Sequence, residues 1–405
     1  MRIRSVTIGM SVSYPPIAGL SQTLELFQHQ ARIRFTEAGL EVQTVRLATQ
    51  PFPAILSGQG PDQATPLAQA LEERCRAQGV DYVSIGPARA VRPEDDLAYI
   101  EVVPEIIRRT ESVFVSVLVA SRDSGISLEG IAKAAEAIVE IAHSTPDGFG
   151  NLRLAVLANC EPGSPFFPAA YHRGSDPCFS IATEAADLAV TGFSGATSLG
   201  EARASLRGLI EQKGRIIGEV GKTLEDDFGL RFGGIDFSLA PFPERARSIG
   251  HGIEALGVDA FGGSGTLFGV ALIKRAIEEA EFPGCGFSGV MLPVLEDETL
   301  ARRSAEGLFG LDSLLLYSTV CGTGLDTIPL PGHVTVEELS AILLDVATLS
   351  LVVDKPLTAR LMPIPGKQAG ERTEFDFPFF ANARILDVRA RGASTIFDGN
   401  AVVRW

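Results

Sequence analysis

The stretch from Asn159 to Asp187 reads NCEPGSPFFPAAYHRGSDPCFSIATEAAD, and the rest of the chain is organised around it. It follows an apolar run, 152–158, that is typical of a buried strand. Its prolines exclude regular secondary structure from most of its first half. A long aromatic loop at the end of a strand is typical of a cavity wall. The alternative is an ordered crossover loop that is packed only by its own side chains.

Composition and charge narrow the class of protein. The chain has 405 residues, of which 45% are hydrophobic and 21% charged, and its formal net charge is −15. The negative charge and the lack of a basic cluster argue against a nucleic-acid or membrane partner. No apolar run approaches the length of a membrane span, and the N-terminus lacks the apolar core of a signal peptide. The five cysteines show no CxxC spacing, so we expect reduced thiols in a cytoplasmic protein.

Strand-like and helical patterns alternate from end to end, which predicts parallel strands covered by helices. About ten strands are expected, and this number fits a wide barrel or two doubly wound sheets. Ser127 and Ser198 are the predicted N-caps of two long helices. A single domain, 1–405, is expected, with a soft hinge near 192–200. Short strands are also predicted at 258–261, 290–295 and 384–389.

The motif GGIDFSLAPFP, at 233–243, places Asp236 and Ser238 on one face of a predicted strand. An aspartate inside an apolar strand must be paired, hydrogen-bonded or bound to a metal. Ligands of parallel sheets bind at the C-terminal edge of the strands, which is where this motif ends. We therefore expect Asp236 to face a ligand. The alternative is a structural carboxylate that accepts hydrogen bonds from neighbouring backbone amides.

The motif FGGSGT, at 261–266, predicts a turn from a strand into a helix. Its bare amides and the helix N-terminus favour an anion such as a phosphate or a carboxylate. It lacks the lysine of a Walker A loop. The alternative is a tight turn in which Ser264 caps the helix. The candidate contacts to the anion are Gly263, Ser264, Gly265 and Thr266.

The motif CGFSGVMLPVLEDE, at 285–298, ends in adjacent carboxylates that directly follow a predicted strand. Glu296 and Asp297 can hold a divalent cation such as Mg²⁺ or Ca²⁺ through their oxygens. The alternative is the negatively charged first turn of a helix at 297–307.

The motif YSTVCGTGLDTIPLPG, at 317–332, places Cys321 where a helix gives way to glycines and Asp326 on the next strand. A helix C-terminus does not lower the pKa of a thiol, so a small buried hydrophobic role is the alternative to a nucleophile. The motifs HExxH and GxSxG are absent, which argues against a zinc enzyme and an α/β-hydrolase.

Together these blocks resemble an uncharacterised family, domain of unknown function 711, whose members are often labelled pyruvate formate-lyase-like. The resemblance implies a wide α/β barrel of about ten strands, similar to that of glycyl radical enzymes, with helices outside and a loop threading the interior. It implies no settled reaction. The matching blocks cover nearly the whole chain and are IRSVTIGMSVS, GVDYVSIG, SRDSGIS, AAYHRG, GIDFSLAPFP, GGSGT, FSGVMLPVLEDE, VCGTGLDTIPLPG and RGAST.

The resemblance also implies site residues. Family members carry a histidine at Ser264 and a cysteine at Phe114, so chemistry that needs those two side chains is not implied for this chain. A glycyl radical role would use Gly392, with Cys321 as the relay, but the aromatic residue expected after the glycine is missing. Carried over by position, the residues are Asn159, Tyr171, His172, Asp236, Ser238, Gly265, Thr266, Ser288, Glu296, Asp297, Asp326 and Gly392.

The expected function is that of an enzyme acting on a small anionic metabolite, in a polar pocket at the C-terminal ends of the strands. His172 is its predicted acid/base group, and Cys321 is a further catalytic candidate. Asp236 is either the partner of His172 or a metal ligand, and the FGGSGT turn is the anion site. One alternative is a non-catalytic ligand-binding or regulatory protein that uses the same pocket. Another is a homo-oligomer joined through its proline-rich loops; radical chemistry is a remote third. A titratable pair in the pocket favours the enzyme, and a pocket without one favours the binding protein.

Overall fold

The computed structural model describes residues 1–15, 22–92, 94–389, 396–397 and 402–403. The strands are β1 Arg2–Gly9, β2 Val42–Ala48, β3 Tyr82–Arg89, β4 Val113–Ser121, β5 Gly125–Ser127, β6 Leu154–Ala158, β7 Cys178–Glu184, β8 Arg231–Ala240, β9 Gly324–Pro331, β10 Leu357–Ile364 and β11 Val402–Val403. The helices are α1 Gln22–Glu37, α2 Phe52–Ile55, α3 Ala64–Ala77, α4 Ala98–Glu101, α5 Val103–Arg109, α6 Leu128–Ser144, α7 Ala186–Phe193, α8 Leu199–Phe228, α9 Ile249–Ala255, α10 Thr266–Glu279, α11 Glu298–Ala305, α12 Leu311–Ser318 and α13 Val336–Val352.

The predicted helix starts are confirmed where a side chain can satisfy the free amides of the first turn. The hydroxyl of Ser127 accepts a hydrogen bond from the amide of Gly130 at 3.1 Å, at the start of α6. Ser198 caps α8 in the same way. The stretch 179–190, whose pattern is ambiguous between strand and helix, divides into the end of β7 and the start of α7.

One large sheet, surrounded by helices, organises the chain and confirms the predicted α/β class. Its strands are neighbours in the order β8, β7, β1, β2, β3, β4, β6, β10, β9, while β5 and β11 extend from β4. The block β1, β2, β3, β4, β6 is parallel throughout. A pair of mutually parallel strands flanks this block on each side: β7 with β8, and β10 with β9. Both pairs run antiparallel to the block, since β7 is antiparallel to β1 and β10 is antiparallel to β6. The prediction of uniformly parallel strands is therefore wrong at these two joins.

The segment 284–293 lies between the two edge strands of the sheet. Isolated parallel bridges link it to both edges, through the pairs Ile235–Gly284, Leu239–Val290 and Pro293–Asp326. The sheet therefore curls until its edges meet at this segment, but no continuous ladder completes a barrel there. The predicted strand at 290–295 does not form. One reason is that the amides of Phe287 and Ser288, just before it, donate to the carboxylate of Asp236 instead of to a neighbouring strand.

Two other short strands are also wrong. The residues at 258–261 form a turn between α9 and α10, and those at 384–389 make only the single bridge Arg372–Arg384. In the described ranges, no helix is both long enough and apolar enough to cross a bilayer.

The inner face of the sheet carries small hydroxyl residues that hold the loop 159–177. The hydroxyls of Ser5 and Thr7 donate to the carbonyl oxygen of Pro165, at 3.4 and 2.8 Å. The hydroxyl of Ser84 donates to the carbonyl oxygen of Ala170 at 2.7 Å. A proline-rich loop cannot satisfy its own carbonyls in a regular element, so side chains of the sheet do so. The loop threads the interior, as the resemblance implies.

The direction of β7 explains why this loop enters the interior and returns. Strand β7 runs antiparallel to β1 and therefore to β6, so it begins at the end of the sheet where β6 finishes. The loop thus leaves and re-enters at one end. On its return His172 donates its amide to the carbonyl of Thr49, and a methyl group at Gly9 would lie only 2.8 Å from Nδ1 of His172.

Candidate anion-binding site

A cavity of about 110 Å³ lies inside the curled sheet, between its inner face and the interior loop. It is close to the first residues of β1, β2, β3 and β4, and to the last residue of β8. The predicted position at the C-terminal ends of the strands is therefore wrong for the parallel block and holds only for β8, which runs in the opposite direction. Its walls are mainly apolar and aromatic, with a few charged groups among them. The aromatic and sulfur side chains of the lining are those of Tyr82, Phe114, Phe166, Phe167, Phe287, Met291, Phe377 and Phe379. The prediction that the stretch after Asn159 lines a cavity agrees with this position of the loop.

Two carboxylates of the lining are held by two guanidinium groups. Arg360 donates from Nε to Oδ1 of Asp326 at 2.7 Å, and from Nη2 to Oε1 of Glu296 at 2.8 Å. Arg4 donates to the other oxygen of Glu296. Burial raises the pKa of Glu296, but Arg360 and Arg4 outweigh that effect and hold the pKa below its ordinary value. Glu296 is therefore ionised at neutral pH.

Arg46 is a third guanidinium of the lining, and it has no carboxylate partner. Arg46 is only 8% exposed, and no acidic group of the described chain lies within ion-pair distance of its guanidinium. Its Nε donates to the hydroxyl of Thr44 at 2.8 Å. Its guanidinium carbon lies 5.6 Å from the ring centre of Tyr82 and 5.1 Å from that of Phe167, within cation–π range. The two rings therefore hold the plane of the group.

The charge of Arg46 persists at neutral pH although it is buried. Burial, followed by repulsion from Arg4, lowers the pKa of Arg46 to about 9, while Tyr82, Asp81 and Glu296 act in the opposite direction. That pKa still lies above neutrality. Arg4 pairs with Glu296 and Glu184, and Arg360 pairs with Glu296 and Asp326. Among the lining guanidinium groups of the described chain, that of Arg46 is therefore the one whose charge has no carboxylate partner.

Strand alternation explains why these residues meet. In β2 the side chains of Thr44 and Arg46 point inward, whereas Val45 and Leu47 join the core beneath the helices. Arg4 is on β1, the neighbour of β2, and Arg360 is on β10. Sequence reasoning missed all three arginines. The signal was present, since a charged residue within an apolar strand is rarely buried without a partner or a function.

Aromatic residues from the segment 375–380 close one side of the cavity. Phe377 and Phe379 line it, and the ring centre of Phe379 lies 5.8 Å from that of Phe242. The amide of Ala381 donates to the carbonyl of Leu295 at 2.7 Å, which ties the chain after this aromatic segment to the residues that directly follow the segment 284–293.

The predicted pair of His172 and Asp236 is not formed. Strand β7 shows the separation. His172 lies beside Cys178, whose sulfur is 3.8 Å from Nδ1 of the imidazole, whereas Asp236 pairs with Ala182, four residues further along β7. That separation corresponds to about 13 Å along a strand. Burial lowers the pKa of His172, and its Nε2 lies 3.1 Å from the carbonyl oxygen of Gly174. A catalytic role for His172 stays a prediction, without the partner assigned to it.

Asp236 has the hydrogen bonds expected of a structural carboxylate. It is fully buried and accepts from the hydroxyl of Ser238 at 2.6 Å and from the amides of Phe287 and Ser288 at 2.7 and 2.8 Å. These bonds join β8 to the segment 284–293. Asp236, Ser238 and Ser288 thus form one local hydrogen-bond network. None of the three lines the cavity.

The buried carboxyl of Asp236 predicts a pH-dependent difference between the protein and the Asp236→Asn variant. Burial raises the pKa of Asp236 to about 6, against the opposing hydrogen bonds. An unfolded aspartate has a pKa of about 3.9, so between about pH 4 and pH 6 only the folded state keeps the proton. This group's contribution to stability therefore falls as the pH rises through that window. The unfolding free energy of Asp236→Asn, relative to the parent, should rise by about 1.4 kcal/mol per pH unit there.

Urea unfolding of both proteins at several pH values measures this difference. Parallel pH profiles for the two proteins would show that the folded protein holds Asp236 at an ordinary pKa. Ser164→Ala, a change in a non-titrating side chain of the interior loop, is the control and should leave the pH profile unchanged.

The glycine-rich motif lies elsewhere. Gly263, Ser264 and Gly265 are exposed in the turn between α9 and α10, and Gly265, not Ser264, occupies the N-cap position of α10. Thr266 is buried and its hydroxyl accepts from the amide of Gly262 at 2.9 Å. The predicted cap by Ser264 is therefore wrong, because no side-chain cap is formed. The anion-binding role of this turn stays a prediction.

The adjacent carboxylates point in different directions. Glu296 lines the cavity, whereas Asp297 is the N-cap of α11 and also accepts hydrogen bonds at the start of α9. The structural alternative for Asp297 is thus confirmed. No group of three or more metal-ligating side chains occurs in the described ranges, so a shared Mg²⁺ or Ca²⁺ site receives no support from this geometry.

The remaining predicted residues make local contacts. Cys321 is buried and its sulfur accepts from the amide of Gly324 at 3.3 Å. The hydroxyl of Tyr171 donates to the carbonyl of Cys160 at 2.8 Å, and Asn159 accepts from the amide of Arg122 at 3.2 Å. Asp326 alone among the predicted ligand-binding residues lines the cavity. Gly392, and with it the radical hypothesis, lies outside the described residues.

Comparison with known proteins places the chain in a family. The family model described as Uncharacterised ACR (DUF711) matches residues 1–381, so the chain belongs to this family. A UPF0210 protein of Desulforudis audaxviator is 33% identical over 377 residues, covering 88% of this chain and 82% of the relative. The UPF0210 protein MK1214 of Methanopyrus kandleri is 30% identical over 379 residues, covering 87% and 81%. These relatives confirm the family that the sequence resembles.

A weaker likeness is found among solved structures. The anaerobic ribonucleotide reductase from Thermotoga maritima, crystallised with citrate in its active site, aligns with a TM-score of 0.37 and 11% identity, over 89% of this chain and 79% of that one. A TM-score of this size is too low to carry a conclusion about the chain.

Proposed function

We propose that the protein binds a small organic anion in its interior cavity, with Arg46 as the residue that contacts the anionic group. The observation that carries this proposal is a buried, ionised guanidinium without a carboxylate partner. An uncompensated charge away from water costs several kcal/mol. An anionic ligand would offset that cost at this position.

The orientation of Arg46 supports the proposal. Thr44 accepts from Nε, and the rings of Tyr82 and Phe167 lie within cation–π range of the guanidinium. The two terminal Nη groups have no hydrogen-bond partner among the contacts of the described chain. A guanidinium restricted in this way offers a planar pair of donors, which matches the geometry of a carboxylate.

The cavity favours binding over acid/base catalysis. No histidine or cysteine is among its described lining residues, and its two carboxylates, Glu296 and Asp326, are both paired with Arg360. A general acid or base must be able to change its protonation state near the working pH. Tyr82 is a further ionisable side chain of the lining, but its ring lies within cation–π range of Arg46 and no histidine, cysteine or unpaired carboxylate of the described lining accompanies it. A lining without an acid–base pair favours a ligand-binding or regulatory protein. The proposal is therefore a binding function without turnover at this cavity.

Calorimetric titration with acetate, benzoate and inorganic phosphate tests the proposal. At least one of these anions should bind the parent protein, and Arg46→Met should weaken that binding tenfold to a hundredfold, or about 1.5–3 kcal/mol. Arg275→Met is the matched control, because it removes the same charge from an exposed position on α10. Equal binding by the parent and Arg46→Met, or no binding of any anion, would refute the proposal.

The same variant has a second readout that needs no ligand. Met replaces an uncompensated buried charge with an apolar side chain of similar length. Arg46→Met should therefore keep or increase the free energy of unfolding of the unliganded protein. A large loss of stability would show that Arg46 is a structural residue instead.

A further inference from the structure

We propose that the ligand of this cavity is a singly charged, ring-sized carboxylate that carries an uncharged hydrogen-bonding group at the end opposite the carboxylate. This inference rests on the proposed function and adds the chemical class of the ligand. It follows from the charge of the lining, from the composition of the walls, and from one unpaired hydroxyl of the lining, which lies beside a strand half-way round the sheet from that of Arg46.

The charge of the lining selects a monoanion. Arg4 and Arg360 are engaged by Glu296 and Asp326, so a single positive charge, that of Arg46, is left for a ligand. A second carboxylate on the ligand would have to be buried without a cation of its own. A dianion is therefore disfavoured.

The walls next to Arg46 select a flat apolar body. Tyr82, Phe114, Phe167, Phe287 and Met291 line the space. The cavity of about 110 Å³ is smaller than the engineered apolar cavity of about 150 Å³ that takes up benzene, so one ring is the upper limit for the body of a ligand. A single six-membered ring is the size of body that such a space holds.

Thr323 identifies the opposite end. Thr323 lies directly before β9, and Arg46 lies on β2. The strand order β2, β3, β4, β6, β10, β9 separates them by five strand-to-strand neighbours, so Thr323 is half-way round the curled sheet from Arg46. Thr323 lines the cavity and is 4% exposed, and its hydroxyl has no hydrogen-bond partner. Buried hydroxyls without a partner are uncommon and costly. Because Asp326 beside it is already paired with Arg360, the missing partner is an uncharged donor or acceptor.

A series of benzoates tests this class. 4-Hydroxybenzoate should bind the parent protein about threefold to tenfold more tightly than benzoate, the gain from one neutral hydrogen bond. Terephthalate, which has a second carboxylate in the same place, should bind more weakly than benzoate. Calorimetry gives the affinities, and saturation-transfer NMR detects binding when the affinities are weak.

Thr323→Val separates this inference from a general preference for phenols. Valine has the shape of threonine, and the hydroxyl that it removes has no partner, so the variant should fold. It should bind benzoate as the parent does and lose the preference for 4-hydroxybenzoate. If benzoate binds through Arg46 but 4-hydroxybenzoate gains nothing, or if only acetate or phosphate binds, the inference is overturned while the proposed function stands. If no anion binds, the proposed function itself fails.

Discussion

Arg360→Met should lower the free energy of unfolding by about 3–5 kcal/mol, the loss typical when one member of a buried ion pair is removed. Arg360 pairs through Nε with Asp326 and through Nη2 with Glu296, and all three residues are buried. After the substitution Glu296 keeps Arg4, but Asp326 has no other cation among its described contacts. The loss arises from leaving that carboxylate buried and unpaired.

The pH dependence of this effect has a defined sign. Arg360 and Arg4 hold the pKa of Glu296 below its ordinary value against the opposing effect of burial. A depressed carboxyl pKa adds stability above the unfolded pKa, and this stability is lost as the pH falls through the folded pKa. The gap between the parent and Arg360→Met should therefore be largest at neutral pH and should narrow as the pH falls, first as the unpaired buried carboxylate of the variant takes up a proton and then as Glu296 of the parent does.

Urea unfolding measures the loss, with Arg275→Met as the exposed control. That variant removes an arginine whose side chain is 64% exposed, so a change within about 1 kcal/mol is expected. The double variant Arg360→Met/Asp326→Asn should recover part of the loss, since the stranded charge is gone. A loss below about 1 kcal/mol in Arg360→Met alone contradicts a desolvated network.

Asp297→Ala is the second substitution with a large expected effect. The carboxylate accepts from the hydroxyl of Ser248 and the amide of Ile249, both at 2.7 Å, from the amide of Leu300 at 2.9 Å, and from that of Gly250 at 3.4 Å. It thus serves the first turns of α9 and α11 together, at a fully buried position. Alanine leaves these buried donors without an acceptor.

The expected loss for Asp297→Ala is about 3–5 kcal/mol, because a single N-cap contributes roughly 1 kcal/mol and each buried donor left unpaired adds 1–3 kcal/mol. Asp297→Asn should lose less, since one oxygen is kept. Asp312→Ala, an exposed acid in the first turn of α12, is the control and should stay within about 0.5 kcal/mol. Thermal or urea unfolding compares the three, and equal stability of Asp297→Ala and the control contradicts the double cap.

Local patterns identified much of this fold. The caps at Ser127 and Ser198 and the helix after Asp297 need only contacts within one turn, so the sequence was enough to predict them. The interior loop was predicted from its prolines and aromatics, because these residues both prevent regular structure and need burial. The family followed from motifs spread along the chain.

The site was harder to predict, because direction and neighbourhood are long-range properties. His172 and Asp236 were expected at a common rim on the assumption that all strands run in one direction. Strands β7 and β8 run opposite to β1, so the C-terminal ends of the two blocks lie at opposite ends of the sheet. His172 therefore meets the end of β1, while the end of β8 lies at the cavity beside Arg4.

By itself the sequence determined most of the segments that become strands and helices, the irregular interior loop, and that Asp236 would need a buried partner. Only the tertiary structure decided that Arg46, Arg360 and Thr323 line one cavity, and that Arg46, among the described lining arginines, lacks a carboxylate partner. The physical reason is that alternation along a strand sets which side chains point inward, whereas strand order and direction set which of them meet. Strand order and direction are set by packing between residues that are hundreds of positions apart in the sequence.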